Sequence, residues 1–168
     1  MRAAGVFLAI ALALALQTSL ARFVVRGTVA LDLVLVVVVY VALTTGPVTG
    51  MLAGSIAGIV QDALSSGTVG IGGLANAIVG FVAGVVGQQF IVTAAFPRFV
   101  IFVAATFAHA ALFMGMYVLL GLKEFPSPWA AVLSQALANS VVGMIAFMII
   151  EGLPGAMERR KVSRRARR

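Results

Sequence analysis

The sequence predicts an all-α integral membrane protein, a six-transmembrane-helix bundle, on three observations. Of the 168 residues, 62% are hydrophobic and only 10% charged, against about a quarter charged in a soluble domain, and mean hydropathy is +1.13. A soluble chain of this size could not cover its apolar surface with so few charges, so its solvent is lipid. The apolar residues gather into six stretches near the roughly 20 residues needed to cross a hydrocarbon core. Finally, small residues recur at every fourth position, a spacing that lets helix backbones approach closely in lipid. Cysteine is absent and His109 is the single histidine. Disulfides, thiolate metal sites, cysteine catalysis and a multi-histidine metal site within one chain are thereby excluded.

The stretches run 3–20, 29–43, 47–64, 74–95, 99–122 and 129–150, forming one domain over 1–157 ahead of a basic tail at 158–168. The first is an Ala/Leu run behind Arg2. With Ser19-Leu20-Ala21 at its end it shares the outline of a secretory signal peptide; the single basic residue before it, its length and the nearby Arg22 favour its retention as a helix. The second is the shortest and carries Asp32 and Tyr40. In the third, glycines at 46, 50, 54 and 58 lead to Asp62. Side chains four apart share a helix face, so this is a smooth stripe ending in a carboxylate. A break over Ser65–Gly73 separates it from the fourth stretch and a second ladder, Gly72, Asn76, Gly80, Gly84 and Gln88. The fifth holds His109 near its middle. Pro126 and Pro128 break the chain before the sixth, which bears the stripe Gln135, Asn139 and Gly143 and ends at Glu151. Trp129 and Tyr40 lie near segment ends, where amphipathic rings suit the headgroup layer.

Charge predicts orientation. With the N-terminus inside, Arg2, Arg98 and the seven basic residues of the tail share one side, and Arg22, Arg26 and Lys123 the other. The positive-inside rule then places both termini in the cytoplasm. Seven of the twelve Lys and Arg lie in the last ten residues, so the net charge of +7 belongs to the tail and does not call for nucleic acid. Arg159, Arg160, Lys161, Arg164 and Arg165 are expected to anchor topology and meet anionic headgroups.

The ladder residues Gly46, Gly50, Gly54, Gly58, Asn76, Gly80 and Gly84 are candidates for packing helix three on helix four or for docking a partner's helix; the spacing allows both. Asp62 is a candidate turn anchor, accepting backbone N–H groups from the glycine-rich break. Asp32 and Asp62 are expected to be shallow enough to be wet, which lowers the cost of a charge in the bilayer. Glu151, within reach of the basic tail, is expected to be an interfacial residue paired with Arg or Lys, and His109 to be a neutral core histidine bonded to a neighbouring helix. Catalysis needs nucleophile, base and orienting group within reach of one another, and no spacing unites Ser55, Ser65, Ser66 and His109. Gly67–Gly73 lacks the Lys of a phosphate loop. No enzyme activity, cofactor or metal is expected.

Residues 31–87 resemble the bacterial rod shape-determining MreD family. Asp32-Leu33 opens a Val/Leu-rich helix ending Val39-Tyr40; Gly46-Pro47, Gly50, Gly54 and Gly58 follow. Asp62-Ala63-Leu64-Ser65-Ser66-Gly67, Gly70 and Asn76-Ala77 through Gly80 complete the segment, with Leu31 standing where the family often has Pro. The resemblance implies a bundle related to the S-components of energy-coupling-factor transporters and a non-enzymatic scaffold role in the elongation complex of the inner membrane. It implies MreC as partner and, through it, MreB, RodA and its class B penicillin-binding transpeptidase. The alternative is a vitamin-binding S-component, to which Ala9-x-x-x-Ala13 and Ala11-x-x-x-Ala15 would supply a docking face.

Overall fold

The computed structural model describes residues 3–21, 31–65, 68–90, 94–122 and 128–165. Among them every regular element is a helix: α1 (Ala3–Ala21), α2 (Leu33–Thr45), α3 (Pro47–Leu64), α4 (Ile71–Gln89), α5 (Ala95–Leu119) and α6 (Trp129–Arg165). Arg2, Arg22, Arg26, Ser66, Gly67, Lys123, Pro126, Arg167 and Arg168 lie outside the described residues. Three helical stretches, Ile71–Gln89, Ala95–Leu119 and Trp129–Glu151, are long and apolar enough to cross a membrane, while Ala4–Ser19 and Leu33–Thr45 are shorter apolar helices. We call the end carrying the α3–α4 turn the upper end.

The core is α2, the one helix that touches all five others among the described residues. Six of its thirteen residues are valine, a poor helix former in isolation. Burial overrides propensity here, because a helix apolar all round suits an interior position. Val38, Val39, Val41 and Ala42 are completely buried. At 1.5 Å per residue α2 is only about 20 Å long. The expected start at Val29 moves to Leu33 because the Asp32 carboxylate caps the helix, accepting the Leu35 N–H at 3.0 Å. Its end is Gly46, whose φ of +101° favours glycine and leaves a single residue before Pro47 opens α3. Gly46 is therefore the joint between two helices, with the Gln88 side chain over it. Tyr40, expected at the headgroup layer, is instead buried at 8% exposure, its ring 4.5 Å from that of Phe147; the chain continues as helix on both sides of it.

The two ladders face each other. A Cβ added at Gly54 would strike the Asn76 carbonyl, one at Gly58 would lie 2.6 Å from Gly73 Cα, and one at Gly50 would lie 2.6 Å from the Gly80 carbonyl. Gly80 and Gly84 in turn meet the backbones of Gly50 and Pro47. The stripe on α3 is thus covered by α4 along its length. Without hydrophobic drive between helices in lipid, such close approach is what supplies dispersion contact. Asn76 is fully buried in this seam, and among the described residues its side-chain amide has no hydrogen-bond partner.

Helices α5 and α6 close the other side. The Phe102 ring occupies the space that a side chain at Gly143 would need. At the lower end, Arg98 is buried in α5 and makes a two-pronged ion pair with Glu151, Nη1–Oε2 2.8 Å and Nη2–Oε1 2.6 Å. Its guanidinium also lies 4.3 Å from the Phe147 ring centroid. The Arg or Lys partner expected for Glu151 is thus Arg98, one helix away. Pro97 sits in the first turn of α5, where a missing N–H costs nothing, so that helix starts at Ala95 rather than Phe99. The sixth helix runs on past Ile150, so Arg159, Arg160, Lys161, Arg164 and Arg165 belong to its continuous course.

Gly54→Ala is expected to lower stability by about 3 kcal/mol, the upper end of overpacking costs, because backbone must move. Gly115→Ala, with open space around it, should gain up to about 1 kcal/mol from helix propensity. Thermal unfolding of the purified protein in detergent compares the two. The same measurement applied to the ion pair should rank Glu151→Ala as more damaging than Arg98→Met, since the first leaves a buried guanidinium uncompensated; the double variant should recover part of the loss.

Candidate functional site

At the upper end the chain brings its polar residues together around the start of α2. The Asp32 N–H donates to Asn139 Oδ1 at 2.9 Å, and Asn139 Nδ2 donates to Thr106 Oγ1 at 3.2 Å. Gln17 Oε1 accepts the Val34 N–H at 3.2 Å, and Gln61 Nε2 reaches Asp32 Oδ1 at 3.4 Å. Residues from α1, α3 and α6 thus meet the start of α2 directly, and α5 joins them through the Thr106–Asn139 bond. The reason is the arithmetic of helix ends: the first four N–H groups lack intrahelical partners, and in lipid each must find one.

The start of α4 solves the same problem from outside. Its N-cap, Gly70, is left-handed at φ +107° and has no side chain to offer. Asp62, at the end of α3, replaces it. Its Oδ2 accepts the N–H groups of Gly70 at 2.9 Å, Gly72 at 3.0 Å and Gly73 at 3.3 Å, while the Ile71 N–H turns to the Thr68 carbonyl. A side chain at Gly72 would collide with the Asp62 carboxylate. An anion at a helix N-terminus also opposes the positive end of the dipole. This borrowed cap is why α4 begins at Ile71 rather than at Leu74.

Asp32, Gln61, Asp62, His109, Tyr117 and Gln135 line one cavity of about 280 Å³. The expectation that the two aspartates would be shallow and wet is corrected: they are 4% and 7% exposed. The cause is height. Helix α5 continues ten residues beyond His109, about 15 Å at the helical rise, so the neighbours stand well above both carboxylates. His109 also departs from expectation. Its ring stacks on Phe113 at 5.9 Å and makes no hydrogen bond to the described residues of a neighbouring helix; it faces the cavity instead. The α6 stripe splits by role, with Gln135 at the cavity, Asn139 in the polar hub and Gly143 under Phe102. Among the described residues no group of three or more His, Cys, Asp or Glu is placed to hold a metal ion.

Sequence reasoning missed Asp32 as the meeting point, although an Asp directly before an apolar run is a recognised helix-start signal. Thr106 and Gln17 carried no signal of their own.

A family model described as rod shape-determining protein MreD matches residues 1–154. The chain belongs to the MreD family. No curated protein and no solved structure matches it significantly. Membership gives the chain a role in rod-shape determination, in a family of shape-determining proteins rather than a known class of enzymes. Together with its long apolar helices, it makes this MreD-family chain a membrane protein.

Asp62→Ala is expected to cost about 3 kcal/mol, as charged hydrogen bonds to three amides are lost, and Asp62→Asn less than half as much. Amide hydrogen exchange at residues 70–73 should rise in the first variant and stay near wild type in the second.

Proposed function

We propose that this chain is a non-enzymatic membrane scaffold of the bacterial elongation complex that binds MreC and helps organise lateral peptidoglycan synthesis. The observation that carries the reading is the glycine-locked α3–α4 pair. Because each ladder is filled by the other, the pair is a stiff blade whose outward face remains apolar. Leu52, Ile56 and Ile59 on α3 follow helical spacing, as do Leu74, Ile78 and Phe81 on α4, and all are between 39% and 53% exposed; Leu52 and Ile56 border the groove against α1 and Ile78 the groove against α5. A transmembrane helix of MreC would pack on this face through shape rather than hydrophobic drive. Gly54 and Gly58 serve the blade from inside and do not meet the partner.

In this reading the six helices are six crossings of the inner membrane in an S-component-like arrangement, with both termini cytoplasmic. The basic residues of α6 then lie on the cytoplasmic side, near anionic lipid, and the upper end faces outward. MreB, RodA and its transpeptidase are reached through MreC. A vitamin-carrying S-component is the competing reading, and a vitamin released from the denatured purified protein would favour it.

Ile56→Trp and Ile78→Trp should leave thermal stability within about 0.5 kcal/mol of wild type, as surface changes generally do, yet reduce MreC recovered by co-purification several-fold. Leu137→Trp and Ile145→Trp, on the exposed side of α6, should not. Equal recovery from all four variants would remove the α3–α4 face from the interaction.

A further inference from the structure

We propose that Gln61 is a two-position switch: its carboxamide exchanges between Asp32, where the structure holds it, and Asn76 in the α3–α4 seam. The inference is independent of the scaffold reading. It starts from Asn76, which is completely buried. Among the described residues neither its side-chain nitrogen nor its oxygen has a partner, and both atoms are sealed from solvent. An unpaired buried amide is costly. What Asn76 lacks is one acceptor and one donor, and a second carboxamide supplies both at once. Asn139 and Gln17 already serve the start of α2, and Gln88 lies over Gly46 at the opposite end. Gln61 stands on the facing helix and is loosely held. Its Nε2 is 3.4 Å from Asp32 Oδ1, longer than the about 3.2 Å that bounds ordinary N–H···O bonds.

Helix geometry brings the two amides to one height. In the seam Gly54 lies against Asn76 and Gly58 against Gly72 and Gly73, so α3 and α4 run antiparallel. Side chains lean toward the N-terminus of their own helix. Gln61 therefore leans down toward the level of Gly58, and Asn76 leans up toward that of Gly72, which is the same level. Residues seven apart lie nearly on one face at about 3.6 residues per turn, so Gln61 shares the face of Gly54 that Asn76 covers. The two positions differ in consequence. On Asp32, the Gln61 side chain lines the upper cavity and the groove between α1 and α3, and the seam keeps its unpaired amide. On Asn76, it exchanges two hydrogen bonds across the seam, Asp32 retains the Leu35 N–H, and both spaces widen. Occupation of those spaces and a locked seam therefore favour each other, because each selects the same state.

The test is solid-state NMR of the full chain in lipid bilayers, reading the Gln61 side-chain amide, which is identified by its loss in Gln61→Leu. Wild type should give two exchanging sets of signals, or one averaged signal between them. Asp32→Asn keeps a capping side chain but replaces a charged acceptor by a neutral one, and charged hydrogen bonds are roughly twice as strong. It should raise the share of Gln61 at Asn76 several-fold. Asn76→Leu removes the second position and should leave only the signal of the Asp32 position; Asn76→Ala does the same with a smaller side chain, should leucine prevent folding. Opposite displacement by the two kinds of variant is the expected result, since a residue that merely packs nearby would not be drawn in both directions. A Gln61 signal that the variants leave in place, or move the same way, overturns the proposal.

Discussion

Backbone contact between α3 and α4 is the constraint on which the remaining structure rests. Where a Cβ cannot fit, the two helices can be only one distance apart and in one register. That register brings Asp62 to the amides of Gly70, Gly72 and Gly73, so the seam and the cap select the same arrangement. It also sets the floor against which α2 lies, with Gly50 meeting Ala42 and Gly80 meeting Val38. A side chain added on the ladder would therefore shift three helices.

Polar groups in this bundle act first as helix-end chemistry. Lipid offers no donors or acceptors, so each exposed end must be satisfied by protein. Asp32 does this for its own helix and Asp62 for the next. The hub that follows, with Asn139, Thr106, Gln17 and Gln61 around the start of α2, ties five helices with few hydrogen bonds. At the opposite end Arg98, Glu151 and Phe147 join α5 to α6. The polar ties thus gather at the starts of α2 and α4 and, at the opposite end, between α5 and α6, with apolar α2 side chains between them.

The helical, lipid-solvated class was legible in composition, and the family in the segment from Asp32 to Gly80. Four-residue spacing marked the stripes on α3 and α4, but spacing does not say which neighbour covers a stripe. Pairings across long separations left no local trace: Asp32 meets Asn139 107 residues away, and Arg98 meets Glu151 53 residues away. Depth misled as well. Asp32 and Asp62 lie at the ends of their own helices and read as shallow, yet α5 and α6 rise past them and enclose a cavity. Tyr40 read as an interfacial ring because its segment was expected to end nearby, whereas Gly46 ends it later.

The one-residue joint at Gly46 bears on how the chain enters the membrane. Leu33–Thr45 is apolar but short, and Pro47–Leu64 is long enough but falls outside the stretches apolar enough to cross alone. In the six-crossing arrangement proposed above, with only Gly46 between them, the two enter together as a hairpin, and the α3–α4 seam forms only after a third helix has emerged. The first half of that arrangement is then made in one concerted event, in which length from one helix and hydrophobicity from the other are combined.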